Sequence, residues 1–275
     1  MILSTTQNPI TTTYSQNIHP TAIIHPDAIL AVGVVVGPYA IIGQNVQIGE
    51  NTEIMSHAII DGHTMIGKNN KIFPYAAIGF PCQDLKYKDE PTKLIIGDNN
   101  HFREFCTVHP SGTLDEDTVV GNNNLIMAYA HIAHNCQIGS NIILSNSVQL
   151  AGHVHVHDFA IIGGVTAVHQ FVRVGTHAFV GGASGLRKDI PPYTRGQGMD
   201  RYRISGINSV GLSRRGFSDE TIEAIVLIYK IFYQSKKNMT QAIEFADTLR
   251  DLTPEQTIFI DFCKNSTRGI NRNKE

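Results

Sequence analysis

Thirteen histidines stand in the 275 residues, and five of them (His131, His134, His153, His155 and His169) fall within one stretch. A neutral imidazole near its own pKa can take a proton from a hydroxyl group. Positions 134, 152 and 170 are evenly spaced and carry His, Gly and Gln. If the chain returns above itself with that spacing, the three form one column. His134 then supplies a base, and the backbone N–H of Gly152 faces a developing oxyanion. Gln170 completes the column, with His131, His153 and His169 flanking it. That set suits acyl transfer to an alcohol. Zinc is the competing reading, because histidines clustered across a trimer face can bind the metal. No Cys or carboxylate completes an obvious ligand set, so no metal site is expected. His19, His25, His57 and His157 read as corner or surface residues.

The elements that must position this column are legible as a six-residue repeat, which is sought before any other pattern. Aliphatic residues recur at Ile24, Leu30, Val36, Ile42, Ile48, Ile54, Ile60, Ile66, Ile72 and Ile78, and the series resumes through Ile132, Ile138, Leu144 and Leu150 to Leu186. The next residue is Gly eleven times, as in Ile42-Gly43 and Ile138-Gly139, where a corner needs φ > 0 or close backbone approach. Four residues after the aliphatic stand small or β-branched residues that fit a crowded interior. A six-residue period predicts a parallel β-helix with three short strands per 18-residue coil, and about nine coils stacked ~4.8 Å apart. Segments 79–93 and 110–118 interrupt the repeat and return in phase, as loops thrown out at a corner would, and long loops on a rigid scaffold commonly carry function.

After Asp189 the pattern changes. Pro191-Pro192 is expected to stop the repeat, and Ile222, Ile225, Val226, Tyr229, Phe232 and Tyr233 recur at helical spacing behind a Ser218 N-cap. A second helix is expected over 240–252, and a third behind the capping box Thr253-Pro254-Glu255-Gln256. The chain thus divides into an N-terminal extension (1–17), a mainly β prism (18–190), and a linker with a small α-helical domain (191–275).

Composition narrows the function. Charged residues are 17%, the net charge is −2, and Trp is absent; nothing marks a nucleic-acid binder. The four cysteines lack CxxC spacing, so no disulfide framework is indicated. No window approaches the length of a transmembrane segment, and the first residues lack a signal-peptide pattern. A soluble, cytoplasmic protein is expected. Between Arg187 and Arg215 lie seven basic residues against two acids, a local excess of +5 that would steer an acidic partner or a diphosphate.

The segments Gln83-Asp84-Leu85-Lys86-Tyr87, Ala130-His131-Ile132-Ala133-His134, Leu150-Ala151-Gly152-His153, Thr166-Ala167-Val168-His169-Gln170, Gly181-Gly182-Ala183-Ser184-Gly185 and Arg214-Arg215-Gly216-Phe217-Ser218 resemble one family of hexapeptide-repeat acyltransferases. Its members acylate UDP-N-acetylglucosamine at the start of lipid A biosynthesis. The resemblance implies left-handed coils, against the usual right-handed crossover, and a homotrimer with active sites between neighbouring prisms. It implies that His134 deprotonates the glucosamine 3-hydroxyl for attack on a 3-hydroxyacyl thioester carried by acyl carrier protein, with no further cofactor. The Gly152 N–H would stabilise the oxyanion, and Asp84, Lys86, His131, His153, His169 and Gln170 would position sugar and acyl groups. Asn208, Arg214 and Arg215 would hold the nucleotide or the carrier's phosphopantetheine. Gly182 leaves room for a long acyl chain, which Phe179 would shorten.

Asn135 follows His134 where many relatives carry Asp; its amide oxygen can accept the imidazole N–H but brings no charge. Val210 stands where a relative has Glu, and the stretch 199–205 differs in length. Three other readings remain. The later N-acyltransferase of the same pathway carries a large domain before its repeats, for which a repeat starting at Ile18 leaves no space. A zinc hydratase of the carbonic anhydrase type shares the prism, and a catalytically silent scaffold would bind carrier protein without turnover.

Overall fold

The computed structural model describes residues 17–272; all but the last residue of the N-terminal extension lie outside the described residues. The repeat folds as a left-handed parallel β-helix. Its strands are mostly two residues long, as in Ile23–Ile24, Ile29–Leu30 and Val35–Val36. They line up on three faces among the described residues. Face one runs from Ile23–Ile24 to Gly185–Leu186, face two from Ile29–Leu30 to Arg173–Val174, and face three begins at Val35–Val36. Successive rungs pair 18 residues apart, as Ile132↔Leu150 and Leu150↔Val168. The right-handed crossover rule describes long connections that pack back on a sheet; here only residues 25–28 separate the first two strands.

The aliphatic positions point inward and are almost wholly buried: Ile42, Ile60, Ile78, Ile132, Leu144 and Leu150 are at most 1% exposed. The small residues four places later (Ala40, Ala58, Ala76, Cys106, Ala130 and Cys136) are buried beside them. Burial pushes the Cys106 and Cys136 thiols up to about 12. All four cysteines are free. Apart from Gly79 (φ 85°), the glycines after the aliphatics serve close approach rather than positive φ. A Cβ on Gly163 would lie 2.4 Å from the Gly182 nitrogen of the next coil. The left-handed backbone falls two residues later, at Asn51, Asn69, Asn99, Asn123 and Asn141, with φ between 54° and 60°. Asn tolerates that conformation better than most residues.

Buried Asn70, Asn100 and Asn124 form a ladder through the coils. Their Nδ2 atoms donate to the Gly97, Gly121 and Gly139 carbonyls, each at 2.9 Å. Their Oδ1 atoms accept from the next rung's Asn100, Asn124 and Ile142 N–H at 2.7–2.9 Å. Each amide thereby ties two coils together.

Both expected loops emerge, after Ala77–Ile78 and Thr107–Val108, and rejoin at Lys93–Ile96 and Thr118–Val120. The two departures are on face one and both returns on face two, so the loops leave from the same corner on successive coils. The repeat does not stop at Pro191-Pro192 as expected. Tyr193 turns one more corner (φ 64°), and Thr194–Gln197 pairs in parallel with Phe179–Val180 before a hairpin to Arg203–Ile207. The prolines sit ahead of the strand, where their missing N–H breaks no ladder bond.

Four helices follow among the described residues: α1 (Ser209–Arg214), α2 (Asp219–Tyr233), α3 (Met239–Asp247) and α4 (Pro254–Lys264). Ser218 caps α2, and Thr253 caps α4 through the expected capping box. The helix expected over 240–252 ends early, because Thr248 caps it and Asp251 takes φ 55°. α1, only six residues long, has no clear sequence signal.

Candidate active site

The column expected from the spacing exists. Ile132, Leu150 and Val168 are successive rungs of face one, so His134, Gly152 and Gln170 follow them around the same corner. That corner is the one from which both loops emerge. The contact between the first two is close enough to exclude any side chain: a Cβ on Gly152 would lie 2.5 Å from His134 Cε1 and Nε2. Glycine is required here by the imidazole beside it, not by its own φ. Among the described residues the Gly152 N–H donates to no protein acceptor, while its carbonyl accepts from Phe171 N–H at 3.2 Å.

His134 Nδ1 lies 2.8 Å from Asn135 Oδ1. The same oxygen accepts from Gly112 N–H at 3.0 Å, and the Asn135 Nδ2 donates to Ser111 Oγ at 2.6 Å. That orientation makes Nδ1 the protonated ring nitrogen and leaves the Nε2 lone pair free. Asp84, on the first loop, holds Oδ2 3.9 Å from Nε2. Its Oδ1 accepts the Lys86 N–H at 2.9 Å, so the loop's own turn orients the carboxylate. Lys86 is exposed.

His153 packs edge-on against His134, ring centroids 5.2 Å apart, and stacks on Phe171. Glu116 Oε2 stands 3.6 Å from its Nδ1, yet burial, followed by the neighbouring His134, holds the His153 pKa below the usual imidazole value. His131 shares a 2.7 Å hydrogen bond with the Thr107 hydroxyl. Burial, then His109 and His134, lowers its pKa to about 4, so the ring is neutral at physiological pH. His169 lies higher on the corner, its Nδ1 3.2 Å from Arg268 Nη2. His155 does not join the group; it lies on face two.

Beside the column, a cleft of 350 Å³ is lined by Gln83, His109, His131, His134, Gln149 and Ala151, among others. His109 is a member that the sequence reading misses. It is 7% exposed, sits edge-on to His131 at 5.2 Å, and hydrogen-bonds the Pro81 carbonyl at 2.9 Å. It stands in the place after a repeat aliphatic, as His25, His157 and His169 also do, so the spacing alone does not single it out. Among the described residues no group of three or more His, Cys, Asp or Glu could hold a metal ion.

The other candidates gather elsewhere. Phe179 belongs to face three, and Gly182 lies at the corner between faces three and one. Asn208 caps α1 and donates to the His177 carbonyl at 3.1 Å. The Arg215 guanidinium lies 4.6 Å over the Phe159 ring, on the corner between faces two and three. Arg214 is exposed nearby in the chain. All seven cations between Arg187 and Arg215 are exposed, whereas Asp189 is buried and accepts from Arg173 N–H and Ser266 Oγ–H. Asp200 is then the one exposed acid of the stretch.

The family described as UDP-N-acetylglucosamine O-acyltransferase, domain 2, matches residues 189–271, and the bacterial transferase hexapeptide family matches residues 117–152. Over 213 residues the chain is 48% identical to the acyl-[acyl-carrier-protein]--UDP-N-acetylglucosamine O-acyltransferase of Burkholderia orbicola, covering 75% of this chain and 80% of that protein. The solved structure of Francisella novicida UDP-N-acetylglucosamine acyltransferase superposes with TM-score 0.91 at 43% identity, covering 94% of this chain and 95% of that one. The Moraxella catarrhalis UDP-N-acetylglucosamine O-acyltransferase gives TM-score 0.89 at 41% identity, over 93% of this chain and all of that one, 100%. The similarity spans the prism and the helices together, and the chain belongs to the UDP-N-acetylglucosamine O-acyltransferase family.

Proposed function

We propose that this acyltransferase moves a 3-hydroxyacyl group from acyl carrier protein to the glucosamine 3-hydroxyl of UDP-N-acetylglucosamine, the first step of lipid A biosynthesis. The observation that carries the reading is the His134 ring. Its Nδ1 is tied to Asn135, and its free Nε2 stands against Gly152. Nε2 takes the proton of the sugar 3-hydroxyl as its oxygen attacks the thioester carbonyl. The Gly152 N–H, without a protein acceptor among the described residues, receives the tetrahedral oxyanion. The C–S bond then breaks, and the departing pantetheine thiolate takes the proton back from Nε2. No metal or redox cofactor enters these steps, because the thioester is already activated.

Asp84, Lys86, His131, His153, His169 and Gln170 hold sugar and acyl groups along the corner. His131 serves as a neutral hydrogen-bonding group, in keeping with its low pKa. Asn208 and Arg215 pack at the corner between faces two and three, with Arg214 beside Arg215 in the chain, while Phe179 lies on face three and Gly182 at the corner that follows it. A homotrimer reconciles the two groups, because a neighbouring copy can bring its second set against this chain's first. The second set then grips the diphosphate, and Phe179 and Gly182 bound the acyl chain. The exposed cations from Arg187 to Arg215 draw in the acidic carrier.

The reading is tested by incubating the enzyme with 3-hydroxyacyl carrier proteins of graded chain length and UDP-N-acetylglucosamine. The expected product carries one acyl group on O3 of the sugar. Transfer only to a 3-amino sugar, or to none with any chain length, would contradict it.

A further inference from the structure

The amide of Asn135 is held at both ends, with the one-way Gly112 N–H at its oxygen and the one-way Glu116 carbonyl at its nitrogen. It is 0% exposed. Its Oδ1 end accepts twice, from His134 Nδ1 at 2.8 Å and from Gly112 N–H at 3.0 Å. Its Nδ2 end faces three oxygens of the second corner loop: Ser111 Oγ at 2.6 Å, Thr113 Oγ1 at 3.1 Å and the Glu116 carbonyl at 3.3 Å. The Glu116 carbonyl has no hydrogen, and the Ser111 hydroxyl turns its own away from the amide. The Ser111 hydroxyl already donates to the Thr113 carbonyl at 2.8 Å, and its oxygen also accepts the Thr113 N–H at 3.1 Å. The Thr113 hydroxyl helps hold the Asp115 carboxyl below its ordinary pKa. The Glu116 group is a carbonyl and can only accept.

We propose that the loop segment 111–116 is an amide-specific clamp: it fixes which end of Asn135 meets His134, and through it fixes the ring as the Nδ1–H tautomer with no counter-charge on that side. Asn135 is a positioning residue in this arrangement, touching no substrate. The inference rests on the reading of His134 as the base. A carboxylate at position 135, though nearly isosteric, would turn an acceptor toward the Glu116 carbonyl and toward the Ser111 hydroxyl as it is now bonded, in a buried site, which is costly where water cannot intervene.

Two measurements test the clamp on the intact protein. The first is the imidazole 15N spectrum of histidine-labelled enzyme, with His134 assigned by its loss in His134→Gln. The expected pattern is a protonated Nδ1 and bare Nε2; an Nε2–H tautomer would overturn the proposal. The second is kcat/KM against pH for Asn135→Asp, Ser111→Ala and the double variant. Asn135→Asp is expected to lose about tenfold or more and to move the acid limb to higher pH, since a carboxylate beside Nδ1 favours imidazolium. Ser111→Ala should reduce turnover in the wild-type background but restore part of it in the Asn135→Asp background, by removing one opposed acceptor. Equal effects of Ser111→Ala in both backgrounds, or an unmoved acid limb, would count against the clamp. Full activity in His134→Ala would instead remove the base assignment while the spectrum still judged the tautomer.

Discussion

At the scale of single residues, the site depends on one close contact. Gly152 can have no side chain while His134 stands where it does, since a Cβ would sit 2.5 Å from two ring atoms. Gly152→Ala must therefore displace the imidazole from the oxyanion donor against which it lies. Turnover is expected to fall about 10²-fold or more, the size of losing one oxyanion contact, with the coil still formed. Unimpaired kcat in this variant would show that ring and N–H do not act together. The His134, Gly152 and Gln170 column was legible from spacing alone, because a strict 18-residue coil fixes which residues stack. The two loops were legible as interruptions, but not their hydrogen bonds. Asp84 is aimed at His134 by an Asx turn, and His109 is held by the Pro81 carbonyl, contacts that no periodicity encodes.

At the scale of elements, the coils are held by buried aliphatics and by the asparagine ladder. Asn100→Ala removes the acceptor of the Asn124 N–H and the donor to the Gly121 carbonyl. Leaving these buried groups unpaired should cost about 2 kcal/mol or more, read as a lower urea midpoint. An unchanged midpoint would mean that the ladder is not a tie between coils. The ladder was hidden in the sequence, because its members occupy the interior position where small or β-branched residues were expected. The extra rung at Thr194–Gln197 was hidden for another reason. Proline marks a boundary in most sheets, yet here it precedes the strand, and Tyr193 supplies the corner.

At the scale of the whole molecule, three imidazoles, one buried and two half-buried, set an acid limit on stability. Burial, more than any charge, lowers His131, His157 and His177 to about 4. In the unfolded chain they titrate near ~6.5. Between those values the unfolded state binds more protons, so stability is full above pH ~6.5 and is lost as pH falls toward ~4. Asp189, raised by burial, works in the opposite direction but is one group against three. The urea midpoint should be lower at about pH 5 than at about pH 7.5; an equal or higher midpoint would show that these rings are not neutral in the fold.

The same architecture explains why the chemistry sits at one corner. Two loops leave there on successive coils, the next coil places His134 beside them, and the one after brings Gly152 against the ring. The claim that this arrangement is a general base beside an oxyanion donor is tested most directly by single-turnover acyl transfer in His134→Ala. Thermal midpoint and carrier-protein binding should be measured on the same preparation. Loss of about 10²–10⁴ in rate with both controls unchanged is the predicted result. A rate close to that of the wild type would contradict it.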